Sequence, residues 1–458
     1  MAVTEQEELP TEPTARVSEL AELSPARAAL SLAWPGIVEQ LVRASGQTVV
    51  FAFIGHLGAV AIAAVGAGLQ FTFLLFPIFN ALSIGTVALV SRRLGEGKRV
   101  EAASIARQSL VLGAVLGVLS GIGFVVFAEP LLVLIGAAPD VVAQGAPYLA
   151  VIGGFNVFQT IAIIGTAAMR AAGDTRTPML LSFGGTIATL VISYVLIVQL
   201  GLGIMGNAYG FVAVSATFAV VTLALLWRGR AGLSIAGGPW GLFPSTVRSI
   251  MSISLPSAAE SLLFALGLIF VGGLVMRFGT EAFAAHQIVI QLESISFLPC
   301  IGFASAAASL VGQSLGLRQP QRAMRVGWAA ARMAMLWTSA VGLLLVLFPA
   351  TWLSLFTNDP GVVAAGLGSA VIIGLGQPAQ AVVFALGGAL RGAGDTRYTL
   401  RITAFNWIVV RLPLSVLLGA VFGLGLAGVW IALAIDYFVR AGLMALRFRN
   451  GGWQRLRY

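Results

Sequence analysis

Long apolar runs alternate with short polar gaps along almost the whole chain. Twelve runs stand out, near 29–54, 60–90, 105–128, 142–168, 178–199 and 203–227, then 250–276, 283–312, 326–349, 363–389, 399–421 and 424–446. Each approaches or exceeds the roughly 20 mostly apolar residues that an α-helix needs to cross a bilayer. The pattern predicts an all-α integral membrane protein with twelve transmembrane helices.

Composition removes the soluble alternative. Charged residues are 10% of the chain and hydrophobic residues 58%, whereas a soluble domain carries about 25% charged residues. The net charge of +9 would suggest nucleic acid in a soluble protein. Here it marks topology instead. Cations fill the gaps after the even-numbered runs, among them Arg92, Arg93, Arg170, Arg176, Arg228, Arg318 and Arg391, and the C-terminal tail adds Arg447, Arg449, Arg455 and Arg457. The other gaps hold Glu129, Asp140, Glu281, Asp359 and one cation, Arg277. The positive-inside rule then places both termini in the cytoplasm of a multi-pass plasma-membrane protein. Residues 1–27 are polar and acidic and read as a mobile cytosolic tail, not a cleaved signal. A single cysteine, Cys300, excludes an internal disulfide framework and reads as a small core residue.

Two phrases are nearly identical: "RAAGDTR" at 170–176 and "RGAGDTR" at 391–397, 221 residues apart. The same offset brings Pro35 onto Pro256, Glu39 onto Glu260, Phe76 onto Phe297 and Gln159 onto Gln380. One residue is then inserted, because "GLGIMG" at 201–206 meets "GLGLAG" at 423–428, an offset of 222. The chain is expected to comprise two homologous six-helix lobes: 28–227 as N-lobe, 228–249 as cytoplasmic linker, 250–446 as C-lobe and 447–458 as a basic cytosolic tail. Six is even, so the lobes should be related by a pseudo-two-fold axis along the membrane normal. That is the plan of transporters that rock two bundles about a central cavity to give alternating access. The doubled phrase itself reads as a cytoplasmic turn, with Gly173 and Gly394 at the bend, Asp174 and Asp395 or the following threonines capping the next helices, and arginines on the inner face.

No phosphate-binding loop, metal-ligand cluster or Ser/His/Asp set is visible, so neither an enzyme nor a cofactor is expected. Charges inside the apolar runs are costly and therefore functional candidates. Glu260 has Ser257, Leu263, Pro256 and Phe264 at its helical neighbour positions and no cation. It reads as a carboxylate that exchanges a proton against a cationic substrate, or as a protonated group bonded to another helix. Its mate Glu39 has Arg43 one turn on, giving either a self-neutralising pair or a cation site that opens. Glu293 lies near Gln287 and Gln291. His286 is either a proton carrier or a packing residue. Asp436 and Arg440 read as an internal pair. Arg332 and Arg411 read as snorkelling toward the cytoplasmic face. Among many polar residues, Gln380 and Asn156 are candidate substrate contacts. Pro35 and Pro256 stand one turn before Glu39 and Glu260 and can re-aim them.

The ordered set of motifs resembles the multidrug and toxic compound extrusion (MATE) family over roughly residues 25–450. Besides the doubled phrase it includes "FIGHLGAVAIAAVG", "LPSAAESLLFALG", "FGTEAFAAHQI" and "SLVGQSLG". The resemblance implies two V-shaped lobes around a central cavity. It implies export of organic, often cationic or amphipathic, compounds in exchange for protons or sodium ions, by a protein whose partners are a small organic molecule and the bilayer. A monomer is expected. Where many prokaryotic members carry aspartates, this chain has Val50, Ser193 and Gln380, so the family's usual coupling carboxylates do not transfer. The competing readings are a lipid-linked precursor flippase of the wider superfamily, for which Arg43 is a hint, and a non-transporting membrane scaffold.

Overall fold

The computed structural model describes residues 14–456, which are helical almost throughout. The helices are α1 (Ala15–Glu22), α2 (Pro25–Gly55), α3 (Ala59–Gly95), α4 (Arg99–Leu134), α5 (Pro139–Gly154), α6 (Asn156–Ala171), α7 (Arg176–Tyr194) and α8 (Gly203–Trp227). They continue with α9 (Pro244–Met276), α10 (Thr280–Gly316), α11 (Pro320–Leu347), α12 (Pro349–Ser354), α13 (Pro360–Gly392), α14 (Thr396–Phe405), α15 (Leu412–Val416) and α16 (Gly425–Arg449). Among the described residues eleven continuous helices are long and apolar enough to cross a bilayer, and α5 with α6, bent by 41°, make a twelfth when counted as one broken span. Leu119, Val126, Leu180 and Leu336 are among the large apolar side chains left exposed, as lipid-facing positions require.

Two compact units emerge. One comprises residues to Glu22 with Val38–Ser254; the other comprises Leu23–Ile37 with Leu255–Tyr458. The units thus differ from the lobes expected from sequence at the start of α2 and of α9. In the first unit Gly85 on α3 lies against Ile250 and Ser254 of α9. In the second, Gly302 on α10 lies against Ala33 and Ile37 of α2. Both changes of allegiance fall beside a proline inside the helix, Pro35 or Pro256.

Within the first unit, Ile54, Val65, Tyr148, Ile152, Ile197 and Ile204 form a core between α2, α3, α5 and α8. The segment after α8 is folded onto α4: Arg107 Nη1 donates to the Gly237 carbonyl at 2.6 Å, and the Phe243 amide donates to Gln108 Oε1 at 2.9 Å. Within the second unit α10, α11, α13 and α16 pack together. A close backbone approach there uses Gly388 and Gly392 on α13. A Cβ at these positions would come 2.3 Å from the Ala304 carbonyl oxygen and 2.2 Å from that of Ala308 on α10. Two glycines one helical turn apart allow this backbone-to-backbone contact.

The N-terminal expectation is corrected in part. Residues 1–13 lie outside the described residues, but 15–22 form a helix and α2 already starts at Pro25. Val17 and Leu20, one turn apart, are buried, and Arg16 donates to the Gly173 carbonyl at 3.4 Å. The apolar pair in "ARVSELAE" is what a floating tail would not need. At the other end Arg447 and Arg449 belong to α16, and a short 3₁₀ turn at Gly452–Arg455 is docked by the buried Trp453. Arg457 lies outside the described residues.

The inserted residue can be located. Helix α7 runs into a π turn at Val195–Gln199, and α15 into one at Leu417–Val421; these are counterparts, since 417 − 195 = 222. A further π turn at Asn406–Arg411 joins α14 to α15. Its counterpart in α7 is ordinary α-helix. Ser182 and Thr403, ahead of it, still stand 221 apart. A π turn closes its hydrogen bonds from i to i+5 and so holds one residue more than an α turn.

Candidate functional site

Glu39 on α2 is almost fully buried and collects four hydrogen bonds. Arg170 Nη2 donates to its two oxygens at 2.9 and 3.2 Å, Arg43 Nη2 donates at 3.2 Å, and Ser182 Oγ donates at 3.2 Å. Glu260 on α9 repeats the arrangement in the second unit. Arg391 Nη1 lies at 3.4 Å, Thr399 Oγ1 donates at 2.9 Å and Thr403 Oγ1 at 3.1 Å. In each half the arginine follows the glutamate by 131 residues and a hydroxyl follows by 143.

Glu260 is therefore not unpaired. Sequence neighbours on one helix could not reveal its partner, which arrives from α13. The first arginine of each doubled phrase, read from sequence as a mark of the inner face, is in fact the ion partner of the intramembrane glutamate. The turn reading holds for the glycines, with Gly173 and Gly394 at φ 86° and 84°. It holds for Asp174, which accepts from the Thr177 amide at 2.9 Å. It fails for Asp395, whose side chain makes no cap bond and instead accepts from Arg447 Nε at 2.8 Å. Ser182, Thr399 and Thr403 were missed; the 221 offset is a signal for Ser182 and Thr403, whereas Thr399 has Pro178 as its counterpart and the repeat does not reveal it.

Around the glutamates the two halves differ in one hydroxyl, Thr399 standing where the first half has Pro178, and in one charge. Arg43 of the first is Phe264 of the second, and Phe264 turns its ring edge-on to Trp407 at 5.6 Å. Glu39 is thus held by two guanidiniums and Glu260 by one, at longer range.

A second polar cluster lies in the second unit and has no counterpart among the described residues of the first. Gln380 Nε2 donates to Glu293 at 2.5 Å, and Tyr437 Oη donates to the same oxygen at 2.7 Å. Next to Tyr437, Asp436 and Arg440 form the ion pair expected from their spacing. Arg411 does not snorkel. It is 6% exposed, lies 4.1 Å over the Trp407 ring, and its charge acts on Glu293, Asp436 and His286. The π turn Asn406–Arg411 carries both Trp407 and Arg411, so the inserted residue belongs to the element that builds this cluster. His286 is buried with its ring 5.4 Å from Trp430, and its Nδ1 has no partner among the described residues. Corresponding positions of the first unit are uncharged: Thr72 for Glu293, Leu190 for Arg411 and Val65 for His286.

Other candidates separate. The Gln287 and Gln291 side chains are exposed and outside the Glu293 cluster. Asn156 is buried at the start of α6, and neither atom of its amide has a partner among the described residues; the same holds for Gln377, 221 residues on. Such repeated, unmet amides are available to water or a polar ligand, since leaving them unbonded costs about 1–3 kcal/mol each. Where the family pattern suggests aspartates, Val50 packs into the apolar core, Ser193 is buried with a free hydroxyl, and Gln380 serves Glu293. Among the described residues no three His, Cys, Asp or Glu side chains are placed to share a metal ion.

Comparison with known proteins supplies the context for this geometry. The MatE family model matches residues 35–195 and again 256–417, two matches that begin 221 residues apart. The chain is 29% identical over 441 residues to "Probable multidrug resistance protein NorM" of Thermotoga maritima, covering 93% of this chain and 92% of that one. It is 26% identical over 443 residues to "Multidrug resistance protein PmpM" of Pseudomonas aeruginosa, covering 93% and 92%. Among solved structures, a transporter of the MOP superfamily from Pyrococcus furiosus aligns with a TM-score of 0.89 at 21% identity, over 97% of this chain and 100% of that one. A multidrug resistance MATE transporter of the same superfamily aligns with 0.89 at 21%, over 96% and 98%. With the matched segments covering well over half of its length, the chain belongs to the MatE family of multi-pass membrane transporters.

Proposed function

We propose that this protein is a secondary active exporter of organic, cationic or amphipathic compounds in the plasma membrane, driven by proton or sodium antiport through alternating access, with both termini cytoplasmic. Glu260 is the coupling carboxylate. The observation that carries this is the exchange of Arg43 for Phe264 between the halves. Glu39 is neutralised twice over, whereas Glu260 keeps one guanidinium at 3.4 Å and two hydroxyls. Hydroxyls can turn to serve a carboxylate, a carboxylic acid or a carboxylate with a bound cation, so Glu260 can change partner without leaving a buried charge bare. Glu293, already met by a phenol and an amide, is the second group able to accept a proton or cation. The relatives named for multidrug resistance support the substrate class. The flippase reading loses its one support, since the Arg43 guanidinium is engaged by Glu39.

The test uses purified protein in liposomes, a fluorescent organic cation, and imposed proton and sodium gradients in turn. Glu260→Gln is expected to lower gradient-driven transport by about tenfold or more, the worth of one charge-assisted contact. Glu260→Gln that couples like the parent sinks the assignment, and parent protein that moves no cation under either gradient sinks antiport of cations altogether.

A further inference from the structure

A groove of about 700 Å³ lies away from all these carboxylates, lined by Gln321, Met324, Arg325, Trp328, Arg332 and Gln454. Gln321, Arg325, Trp328 and Arg332 follow one another on α11 at spacings of four, three and four, so they share one helix face. The opposite wall is the docked C-terminal turn. Trp453 fixes it: its ring stacks on Phe448 at 4.7 Å and its Nε1 donates to the Phe448 carbonyl at 2.8 Å. Phe448 is seated in turn on Gly327 of α11, where a Cβ would come 2.3 Å from its ring, and Trp328 meets it edge-on at 6.0 Å. The wall is thus packed, not draped.

The charge in the groove is one-sided. Neither α11 nor residues 447–458 contain an Asp or Glu. The carboxylate pairs of the second unit go to Arg391, Arg440 and Arg447, and among the described residues Arg332 bonds the Trp328 carbonyl of its own helix, at 3.3 Å. Two guanidiniums about 10 Å apart along the helix therefore face the groove with no carboxylate side chain against them among the described residues. Toward the apolar part of α11 the same face continues onto Leu336, 73% exposed, and Leu343, 58% exposed. A cationic, aromatic-lined end followed by a bare apolar stripe has the polarity of a phospholipid, headgroup first. Arginine matches phosphate oxygens with paired donors, and basic pockets at the end of membrane helices hold anionic headgroups.

We propose that this groove binds the headgroup phosphate of an anionic phospholipid between Arg325 and Arg332, with its acyl chains along Leu336 and Leu343. The site needs only that the chain crosses a membrane, and it stands whether or not Glu260 couples transport. Native mass spectrometry of the full chain in detergent, titrated with phosphatidylglycerol and with phosphatidylcholine, tests it. The parent is expected to retain one phosphatidylglycerol in preference to phosphatidylcholine. Arg325→Gln with Arg332→Gln should weaken that one binding event by about 25-fold, while Arg325→Lys with Arg332→Lys keeps the preference in reduced form. Equal retention of both lipids by the parent overturns the proposal. So does undiminished phosphatidylglycerol binding in a folded glutamine variant. Displacement of the lipid by millimolar glycerol 3-phosphate also overturns it, because the site would then belong to a soluble phosphate.

Discussion

Gly392→Val is expected to unfold the second unit at markedly lower temperature than the parent, and Gly388→Val to do the same. A Cβ at Gly392 would come 2.2 Å from the Ala308 carbonyl oxygen and 2.4 Å from its Cα. The obstacle is backbone, which cannot rotate aside as a side chain would. Overpacking costs about 1–3 kcal/mol where side chains can yield; here the upper end, about 3 kcal/mol per site, is expected. Gly442 on α16 has nothing within 4 Å of its Cβ position, so Gly442→Ala serves as a control with little or no loss. The chain supplies its own reporter: Cys300, its one cysteine, is buried on α10 beside this contact. A thiol-reactive dye added during heating reads the opening of the α10–α13 interface directly. A Gly392→Val protein whose thiol reacts at the parent's temperature would show that the two helices are not in backbone contact.

Removing Arg170 should cost more than removing its counterpart Arg391. Arg170→Gln leaves Glu39 buried with only Arg43, whose side chain is 53% exposed, and one hydroxyl. Stripping a partner from a buried ion pair costs about 3–5 kcal/mol; with Arg43 remaining, about 3 kcal/mol is expected. Arg391→Gln removes one bond at 3.4 Å from a carboxylate that keeps Thr399 and Thr403, and about 1 kcal/mol is expected. Double-mutant cycles on Glu39/Arg170 and Glu260/Arg391, each with glutamine, give the two coupling energies from thermal unfolding. Equal couplings would mean that the exchange of Arg43 for Phe264 leaves the halves electrostatically alike, and the case for Glu260 would fall with it.

The membrane architecture was legible because lipid imposes one rule on every span: a run of apolar residues long enough to cross. All twelve expected runs coincide with a helix or with the bent pair α5–α6. The repeat was legible because Pro, Glu and Gln recur in one register. What stayed hidden came from contacts between helices far apart in sequence. Periodicity tells which residues share a face of one helix, as it did for Asp436 with Arg440, and nothing about the neighbour facing them. Glu260 looked unpaired for that reason, and Arg411, judged from an apolar surround, looked like a side chain seeking water when its partners lie inside the unit. Short docked pieces were hidden too. Val17, Leu20 and Trp453 sit in polar or basic stretches whose average composition outweighs the one or two apolar residues that anchor them.

The extra residue of the second half has a consequence in helical phase. One residue advances an α-helix by about 100°. Inserted into a plain α-helix between Thr403 and Leu417, it would have swung every later side chain of that span about a quarter turn around the axis, exchanging its lipid face for its packed face. The π turn at Asn406–Arg411 absorbs the advance, so the copy regains its azimuth by Leu417 and the later turns stay matched to their twins in the first half. The duplicated gene thereby gained a position at no cost to its downstream register. Deleting a single residue from 406–411 should restore the offset of 221 and leave the end of the span correctly aimed, while taking away the widened turn that brings in Trp407 and Arg411.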